Sequence, residues 1–253
     1  MKYCIPIPCF FGGMPVADAI RKISSLGFQY VENYNWNRDL LPYADEIKAA
    51  CAETGVTFLS TCTSEFRLTD TSFRQKWLDG CLESCQACKT LGIGKMITQV
   101  GNDTGADRAV QHENIVTTLK EAKPILEEYG IVMMIEPLNP LIDHKGYYLW
   151  KASEAFDIVH EVDSPFVKVV YDIYHQQVSE GDIIRNATGN LDCIAHFHCA
   201  GHPGRTDLQL GELDYKNVFA AIDRTGYSGA CGLEYGTKMG AENSLRTFRK
   251  IYC

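Results

Sequence analysis

The sequence predicts an α/β protein in which residues 1–253 form a single (β/α)8 barrel. Short apolar segments typical of buried parallel strands alternate eight times with longer amphipathic segments typical of helices. Glycine stands between a helical segment and the following strand at several of these junctions. The chain length of 253 residues also matches the roughly 250 residues that such a barrel needs.

Each predicted strand is a run of mainly β-branched, aromatic or other apolar residues that ends where polar or turn-forming residues begin. The predicted strands cover residues 3–7, 28–32, 56–62, 95–100, 131–136, 167–172, 193–198 and 230–234. Each predicted helix follows its strand and repeats apolar residues at the spacing of one helix face. The predicted helices cover residues 15–26, 42–54, 72–91, 106–129, 151–162, 179–190, 215–225 and 241–251.

Glycine marks the ends of five of these helices, at Gly27, Gly55, Gly92, Gly130 and Gly226. Glycine ends helices because it adopts the left-handed backbone conformation without steric cost. Eight units without a linker favour a closed parallel barrel, with an open doubly wound sheet as the structural alternative. Neither G-x-G-x-x-G after a strand nor a Walker A sequence occurs, so nucleotide-binding folds lack their usual motifs.

Composition and charge narrow the classes of function. The formal net charge is −8, and lysine and arginine form no cluster, which disfavours nucleic-acid binding. No apolar segment approaches the roughly 20 residues of a membrane span. The 11 cysteines are spread along the chain, and no signal-peptide pattern precedes them. We therefore expect a cytoplasmic protein with reduced cysteines that binds neither nucleic acid nor a membrane.

The residues that carry chemistry lie at the ends of four consecutive predicted strands. Glu136 ends the fifth strand, Asp172 the sixth, His198 the seventh and Glu234 the eighth. One such residue alone is typical of a helix cap or a loop, but in a barrel these strand ends meet at one rim. Three carboxylates and one imidazole suit one divalent metal ion, with Mn²⁺ favoured and Mg²⁺, Co²⁺ or Zn²⁺ as alternatives.

Several motifs resemble those of hydroxypyruvate isomerase-like proteins and sugar isomerase-epimerases of the xylose isomerase-like (AP endonuclease type 2) TIM-barrel superfamily. The matching motifs are IEPLNP (135–140), GYY (146–148), YDIYH (171–175), PGR (203–205), GELDY (211–215) and GLEY (232–235). The first half of the chain matches mainly in its alternation of strands and helices and in YVE (30–32). The resemblance therefore runs along the whole chain, but its specific motifs all follow residue 131.

The resemblance implies a metal-dependent enzyme that isomerises a small sugar or hydroxy-keto acid. It implies the same four metal ligands, a substrate contact from His175, and a homo-oligomer, either a dimer or a tetramer. Many hydroxypyruvate isomerase-like proteins have glutamine where this chain has His198, so this chain has the more complete set of metal ligands. Ketose 3-epimerases have a further glutamate where this chain has Ile142, which weakens the epimerase alternative.

Isomerisation requires removal of a proton from the carbon beside a carbonyl group and its return to another carbon. Glu136 and Glu234 are the predicted catalytic pair, because they come from strands on different sides of the metal ion. We expect substrate contacts from four residues: His175, Arg205, Glu32 and Trp36. Arg205 suits a substrate carboxylate, and its alternative role is a surface salt bridge. Glu32 could instead support the metal ligands from behind.

Other functions share parts of this pattern. A ketose 3-epimerase and a lyase or dehydratase begin with the same proton abstraction, so the sequence does not separate them. A DNA-repair endonuclease of the same superfamily needs several histidines, some from early strands, but no histidine precedes His112. A non-enzymatic binding barrel would hold no metal ion and would catalyse no proton exchange.

Overall fold

Eight short parallel strands form one closed sheet in the computed structural model, which describes residues 1–253. The strands follow one another around the barrel in sequence order, and the last strand pairs with the first. They are β1 (Lys2–Pro6), β2 (Tyr30–Glu32), β3 (Thr57–Cys62), β4 (Lys95–Thr98), β5 (Val132–Ile135), β6 (Val167–Asp172), β7 (Ile194–Cys199) and β8 (Ala230–Leu233). The predicted (β/α)8 barrel is confirmed, and the open-sheet alternative is excluded.

Helices surround the barrel because their apolar faces cover the outer surface of the sheet. In the helix Val16–Ser25, for example, Ile20 and Ile23 are buried one helical turn apart, whereas Arg21 is exposed. The α-helices are α1 (Ile7–Phe11), α2 (Val16–Ser25), α3 (Ala44–Thr54), α4 (Arg74–Leu91), α5 (Arg108–Tyr129), α6 (Ala152–Val162), α7 (Ile173–Ser179), α8 (Ile183–Gly189), α9 (Tyr215–Arg224) and α10 (Ala241–Tyr252). None of them combines the length and the hydrophobicity that crossing a membrane requires.

The glycines that the sequence places after helices have the expected backbone conformation. Gly55, Gly92 and Gly130 follow α3, α4 and α5 in the left-handed region, with φ of 72°, 72° and 66°. Gly27 and Gly226 also have positive φ, at 86° and 82°. Each glycine therefore reverses the chain from the helix layer toward the next strand, as predicted.

The barrel interior and the space outside it differ in chemistry. The large apolar core lies between sheet and helices and contains outward-facing residues of β6 such as Val169 and Tyr171. Inside the barrel, a small apolar cluster of Ile97, Met134 and Val170 lies below the carboxyl ends of the strands. Other inward-facing side chains are polar and fully buried, which is expected of a functional site rather than of a packed barrel core.

Three local features differ from the predicted elements. A short helix, α1, directly follows β1, and a five-residue π-helical turn covers Trp36–Leu40. The single helix predicted over residues 179–190 is wrong, because two shorter helices, α7 and α8, occupy residues 173–189. The side chain of Asp172 accepts hydrogen bonds from the backbone N–H groups of Tyr174 and His175, so α7 begins immediately after β6.

Candidate metal centre and active site

Four side chains from consecutive strands converge at the carboxyl end of the barrel. Asp172 ends β6, His198 lies in β7, and Glu136 and Glu234 each follow the last residue of β5 and β8. One ligand atom from each of the four lies within 4.8 Å of the others. Asp172 and His198 are 0% and 1% exposed, and Glu136 is 5% exposed. The geometry therefore brings together the four residues that the sequence predicts as metal ligands.

Several atoms of this group are buried without a hydrogen-bond partner. Glu136 Oε1, Asp172 Oδ2 and His198 Nδ1 face the centre, and a fourth, His198 Nε2, faces Glu32. Buried polar atoms are rarely left unpaired in proteins, because burial without a partner costs roughly 1–3 kcal/mol per group. Three unpaired atoms with lone pairs that face a common point fit a divalent cation, because carboxylate oxygen and imidazole nitrogen are suitable metal ligands.

Positive side chains adjoin the carboxylates. His198 Nδ1 lies 3.1 Å from Glu234 Oε2 and 3.6 Å from Glu136 Oε1. The guanidinium group of Arg205 donates to Glu234 Oε2 over 2.7 Å and lies 3.8 Å from Asp172 Oδ2. Arg205 is therefore part of the centre. It is not the surface salt bridge considered as its alternative, because its side chain is only 28% exposed.

The two glutamates differ in proton affinity although one is buried and the side chain of the other, Glu234, is only 15% exposed. Burial raises the pKa of Glu136 to about 7, and the nearby charge of Glu234 adds to the increase. Burial also acts on Glu234, but the positive charges of His198 and Arg205 outweigh it and hold its pKa well below the ordinary value. Burial raises the pKa of Asp172 to about 6 despite the nearby Arg205. Carboxyl groups with such different proton affinities are typical of acid–base sites.

His175 has a defined tautomer because Asn139 binds one of its ring nitrogens. Asn139 Oδ1 accepts from the backbone N–H groups of Ile142 and Asp143, at 3.0 and 3.2 Å, which fixes the orientation of the amide. Its Nδ2 therefore donates to His175 Nδ1 over 2.7 Å. Burial lowers the pKa of His175 well below its ordinary value. The neutral ring thus carries its proton on Nε2, which is buried without a partner 3.6 Å from Asp172 Oδ2.

Glu32 and Trp36, both expected to contact substrate, lie in different surroundings. Glu32 is fully buried behind His198, and its oxygens face His198, His196 and Ser60. Trp36 lies in the apolar core, and its indole N–H donates to Ser84 Oγ over 3.1 Å. The indole N–H of Trp36 is therefore already paired, whereas Glu32 Oε1 lies beside His198 without forming a hydrogen bond.

Sequence reasoning missed two residues of the centre. Asn139 lies in the motif that follows Glu136, but the sequence does not reveal that it would bind His175. Gly232 precedes Glu234 in β8, and a Cβ at this position would lie 2.2 Å from Glu32 Oε1. The only signal for Gly232 is a glycine inside a predicted strand, which indicates a close approach of other atoms.

The fold and the site together define a (β/α)8 barrel with a buried cluster of acidic residues and histidine at its mouth. A family profile described as "Xylose isomerase-like TIM barrel" matches residues 20–251. The chain is 30% identical to a 2-oxo-tetronate isomerase of Pectobacterium atrosepticum, over 96% of this chain and 95% of that protein. The chain belongs to the xylose isomerase-like TIM-barrel family.

Other similarities agree with this assignment. The chain is 29% identical to the hydroxypyruvate isomerase of Escherichia coli K12, over 78% of this chain and 72% of that protein. The fold is also similar to the crystal structure of an AP endonuclease, family 2, from Brucella melitensis, with a TM-score of 0.91 and 24% sequence identity. The superposition covers 100% of this chain and 99% of that chain. The structural similarity supports the fold, and the curated relatives indicate an enzyme of the sugar isomerase and epimerase class.

Proposed function

We propose that this protein is a metal-dependent isomerase of a small hydroxy-carbonyl compound, with a hydroxy-keto acid as the favoured substrate class. The observation that carries the proposal is the convergence of Glu136, Asp172, His198 and Glu234, with unpaired donor atoms facing one point. Relatives named hydroxypyruvate isomerase and 2-oxo-tetronate isomerase support this substrate class.

In this proposal, Glu136, Asp172, His198 and Glu234 hold one divalent cation, with Mn²⁺ preferred and Mg²⁺, Co²⁺ or Zn²⁺ as alternatives. When bound, such a cation supplies Lewis-acid stabilisation of negative charge that develops on substrate oxygen. The mixed set of three carboxylates and one imidazole favours Mn²⁺ over a nitrogen- or sulfur-rich zinc site.

The protein's own groups move the proton. One of Glu136 and Glu234 removes the proton from the carbon beside the carbonyl group, and the other returns a proton to the neighbouring carbon. Glu136 is buried and the Glu234 side chain is only 15% exposed, which limits the access of water to the exchanging proton. His175 donates its Nε2–H to a substrate oxygen, and the N–H groups of Arg205 not used by Glu234 bind a substrate carboxylate.

We also propose a cytoplasmic protein that acts as a homo-oligomer on a free small molecule. Four of the ten exposed large apolar side chains lie in the connections that follow β5, β7 and β8 at the mouth of the barrel, which favours contact with another copy of the chain. They are Leu141 (68% exposed), Ile142 (56%), Leu210 (53%) and Met239 (36%).

Proton exchange in heavy water tests the proposed reaction. The Mn²⁺-loaded protein is incubated with hydroxypyruvate, 2-oxo-tetronate and a panel of ketoses, and deuterium is located by NMR. We expect deuterium beside the carbonyl group of an isomerised product. Because a positioned acid or base contributes roughly 10²- to 10⁴-fold, Glu136→Gln should lower exchange by at least about 100-fold.

Glu154→Gln is the matched control, because it removes the same charge from the outer helix α6. It should leave exchange unchanged. Full exchange by Glu136→Gln would remove Glu136 from the mechanism, and no exchange with any substrate would contradict the proposed reaction. Inversion at one carbon with the carbonyl group in place would identify an epimerase, and loss of water a lyase.

A further inference from the structure

Glu32 adjoins the candidate metal ligand His198 on the side that faces away from the mouth. Its Oε1 lies 3.3 Å from His198 Nε2, and its Oε2 lies 3.2 Å from His196 Nε2. The hydroxyl of Ser60 donates to Oε2 over 2.6 Å. Glu32 is 0% exposed, and it adjoins the ring nitrogen of His198 that faces away from Glu136 and Glu234. Glu32 Oε2 is thus bound by Ser60, whereas Glu32 Oε1 and His198 Nε2 face each other and neither has another hydrogen-bond partner.

The backbone is irregular where these side chains enter the interior. The pairing of β2 with β3 shifts between Val31 and Glu32, so that Glu32 lies opposite Ser60. The pairing of β6 with β7 shifts between Val169 and Val170, next to His196. Register shifts of this kind re-aim side chains and are frequent beside active sites. Two of them at the same network indicate that the contacts of Glu32 are a specific feature of this barrel.

Gly232 provides the space through which Glu32 and His198 meet. In β8 it is paired with His198, and its φ is not in the left-handed region, so the backbone alone does not require glycine. A Cβ at this position would lie 2.2 Å from Glu32 Oε1 and 2.8 Å from His198 Cδ2. Any other residue would therefore push the carboxylate and the imidazole apart.

The two ring nitrogens of His198 face different partners. Nδ1 faces Glu234 and Glu136, and Nε2 faces Glu32. A histidine that binds a metal ion through one nitrogen needs a lone pair there and carries its proton on the other nitrogen, which commonly donates to a carboxylate.

We infer that Glu32 is a positioning residue, which holds the Nε2–H of His198 and so presents Nδ1 to the cation. This inference rests on the proposed function, because it requires that a cation binds at the centre. His196 and Ser60 complete the role by fixing the second oxygen of Glu32.

Metal binding by Glu32→Gln tests this role. A glutamine has one acceptor oxygen for three donors, and its NH₂ group must face at least one of them, which disfavours the required tautomer of His198. We expect Mn²⁺ affinity, measured by calorimetry, to fall by about 10- to 100-fold, the range for groups that orient a metal ligand. The visible spectrum of bound Co²⁺ should also change, because it reports ligand geometry.

Further variants separate positioning from simple stabilisation. Glu154→Gln removes an equivalent charge from α6 and should leave Mn²⁺ affinity and the Co²⁺ spectrum unchanged. Ser60→Ala removes one contact of Glu32 and should weaken Mn²⁺ binding less than Glu32→Gln. Gly232→Ala should weaken Mn²⁺ binding through the clash with Glu32. If Glu32→Gln does not fold, Ser60→Ala and Gly232→Ala carry the test.

The outcomes distinguish this inference from the proposed function. If the unmodified protein binds Mn²⁺ and exchanges the substrate proton while Glu32→Gln and Ser60→Ala bind Mn²⁺ as tightly, only the positioning role is overturned. If the unmodified protein binds neither Mn²⁺ nor Co²⁺, the proposed function fails, and Glu32 has no bound cation toward which to orient His198.

Discussion

Among single residues, His175 shows how a neighbour determines the chemistry of a side chain. The ring is buried and neutral, and Asn139 occupies its Nδ1. Only Nε2–H is then available, and it lies beside Asp172 at the edge of the centre. The same histidine with a free Nδ1 could carry its proton on either nitrogen, and a substrate oxygen would meet the donor only part of the time.

Asn139→Ala should therefore impair a reaction in which His175 donates to substrate. We expect turnover to fall by roughly 10- to 100-fold, the range seen when a residue that orients an active-site side chain is lost. Deuterium exchange into substrate measures the effect. His175→Asn should show a larger loss, and the double variant should lose little more than His175→Asn alone, because the two residues act together. Additive losses would contradict the link between them.

Sequence predicts single residues well where strand ends determine their position. Glu136, Asp172, His198 and Glu234 were predicted because parallel strands deliver their last residues to one rim. Asn139 and Gly232 were not predicted, because their contacts depend on the loop after β5 and on the packing of side chains from opposite sides of the barrel. Such contacts have no local sequence pattern.

At the level of elements, Asp172 links helix α7 to the candidate metal centre. Its Oδ1 accepts from the N–H groups of Tyr174 and His175, over 2.7 and 3.2 Å, at the first turn of α7. Its Oδ2 has no hydrogen-bond partner and faces the centre. One carboxylate thus caps a helix and offers a ligand atom, so the start of α7 and the geometry of the centre depend on each other.

Two substitutions separate these roles of Asp172. Asparagine is as good an N-cap as aspartate, so Asp172→Asn should keep the cap and lose the anionic ligand. Asp172→Ala should lose both, and without metal its free energy of unfolding should be about 1 kcal/mol lower than that of Asp172→Asn. Urea denaturation in the presence of a chelator measures the difference. Equal stability of the two variants would show that the cap contributes nothing.

The sequence predicts most elements but not their irregularities. The strands and long helices follow apolar periodicity and glycine signals, which are local. The start of α7 was missed because residues 173–178 are mainly β-branched, aromatic or polar, so the predicted helix begins only near residue 179. The register shifts at Glu32 and His196 were missed because they depend on pairing between neighbouring strands.

For the molecule as a whole, the centre makes stability depend on pH. Burial raises the pKa of Glu136 in the folded protein from an ordinary value of 4.5 to about 7. The folded state then binds this proton more tightly than the unfolded state. The resulting contribution to the free energy of unfolding is fully present below pH 4.5 and is lost as the pH rises through 7. A cation at the centre opposes this loss, because it favours the ionised carboxylates.

Glu136→Gln should change this dependence in a defined direction. Without metal, the variant should gain stability relative to the unmodified protein as the pH rises from 5 to 8, about the window between the unfolded and folded pKa values of Glu136. At a Mn²⁺ concentration about 100 times its dissociation constant, the unmodified protein should gain about 2.7 kcal/mol, and the variant less. Chemical denaturation at several pH values checks both. A parallel pH dependence of the two proteins would contradict the prediction.

The location of a bound cation is measured most directly by anomalous diffraction from crystals of the protein grown with Mn²⁺. We predict one manganese peak per chain, about 2.0–2.3 Å from an oxygen of Glu136, Asp172 and Glu234 and from Nδ1 of His198. Two other groups of potential ligands exist: Glu32, His196 and His198 inside the barrel, and His160, Asp192 and Cys193 near the start of β7. Manganese found only at one of these two groups, or at none of the three, would contradict the proposed centre and the isomerase function based on it.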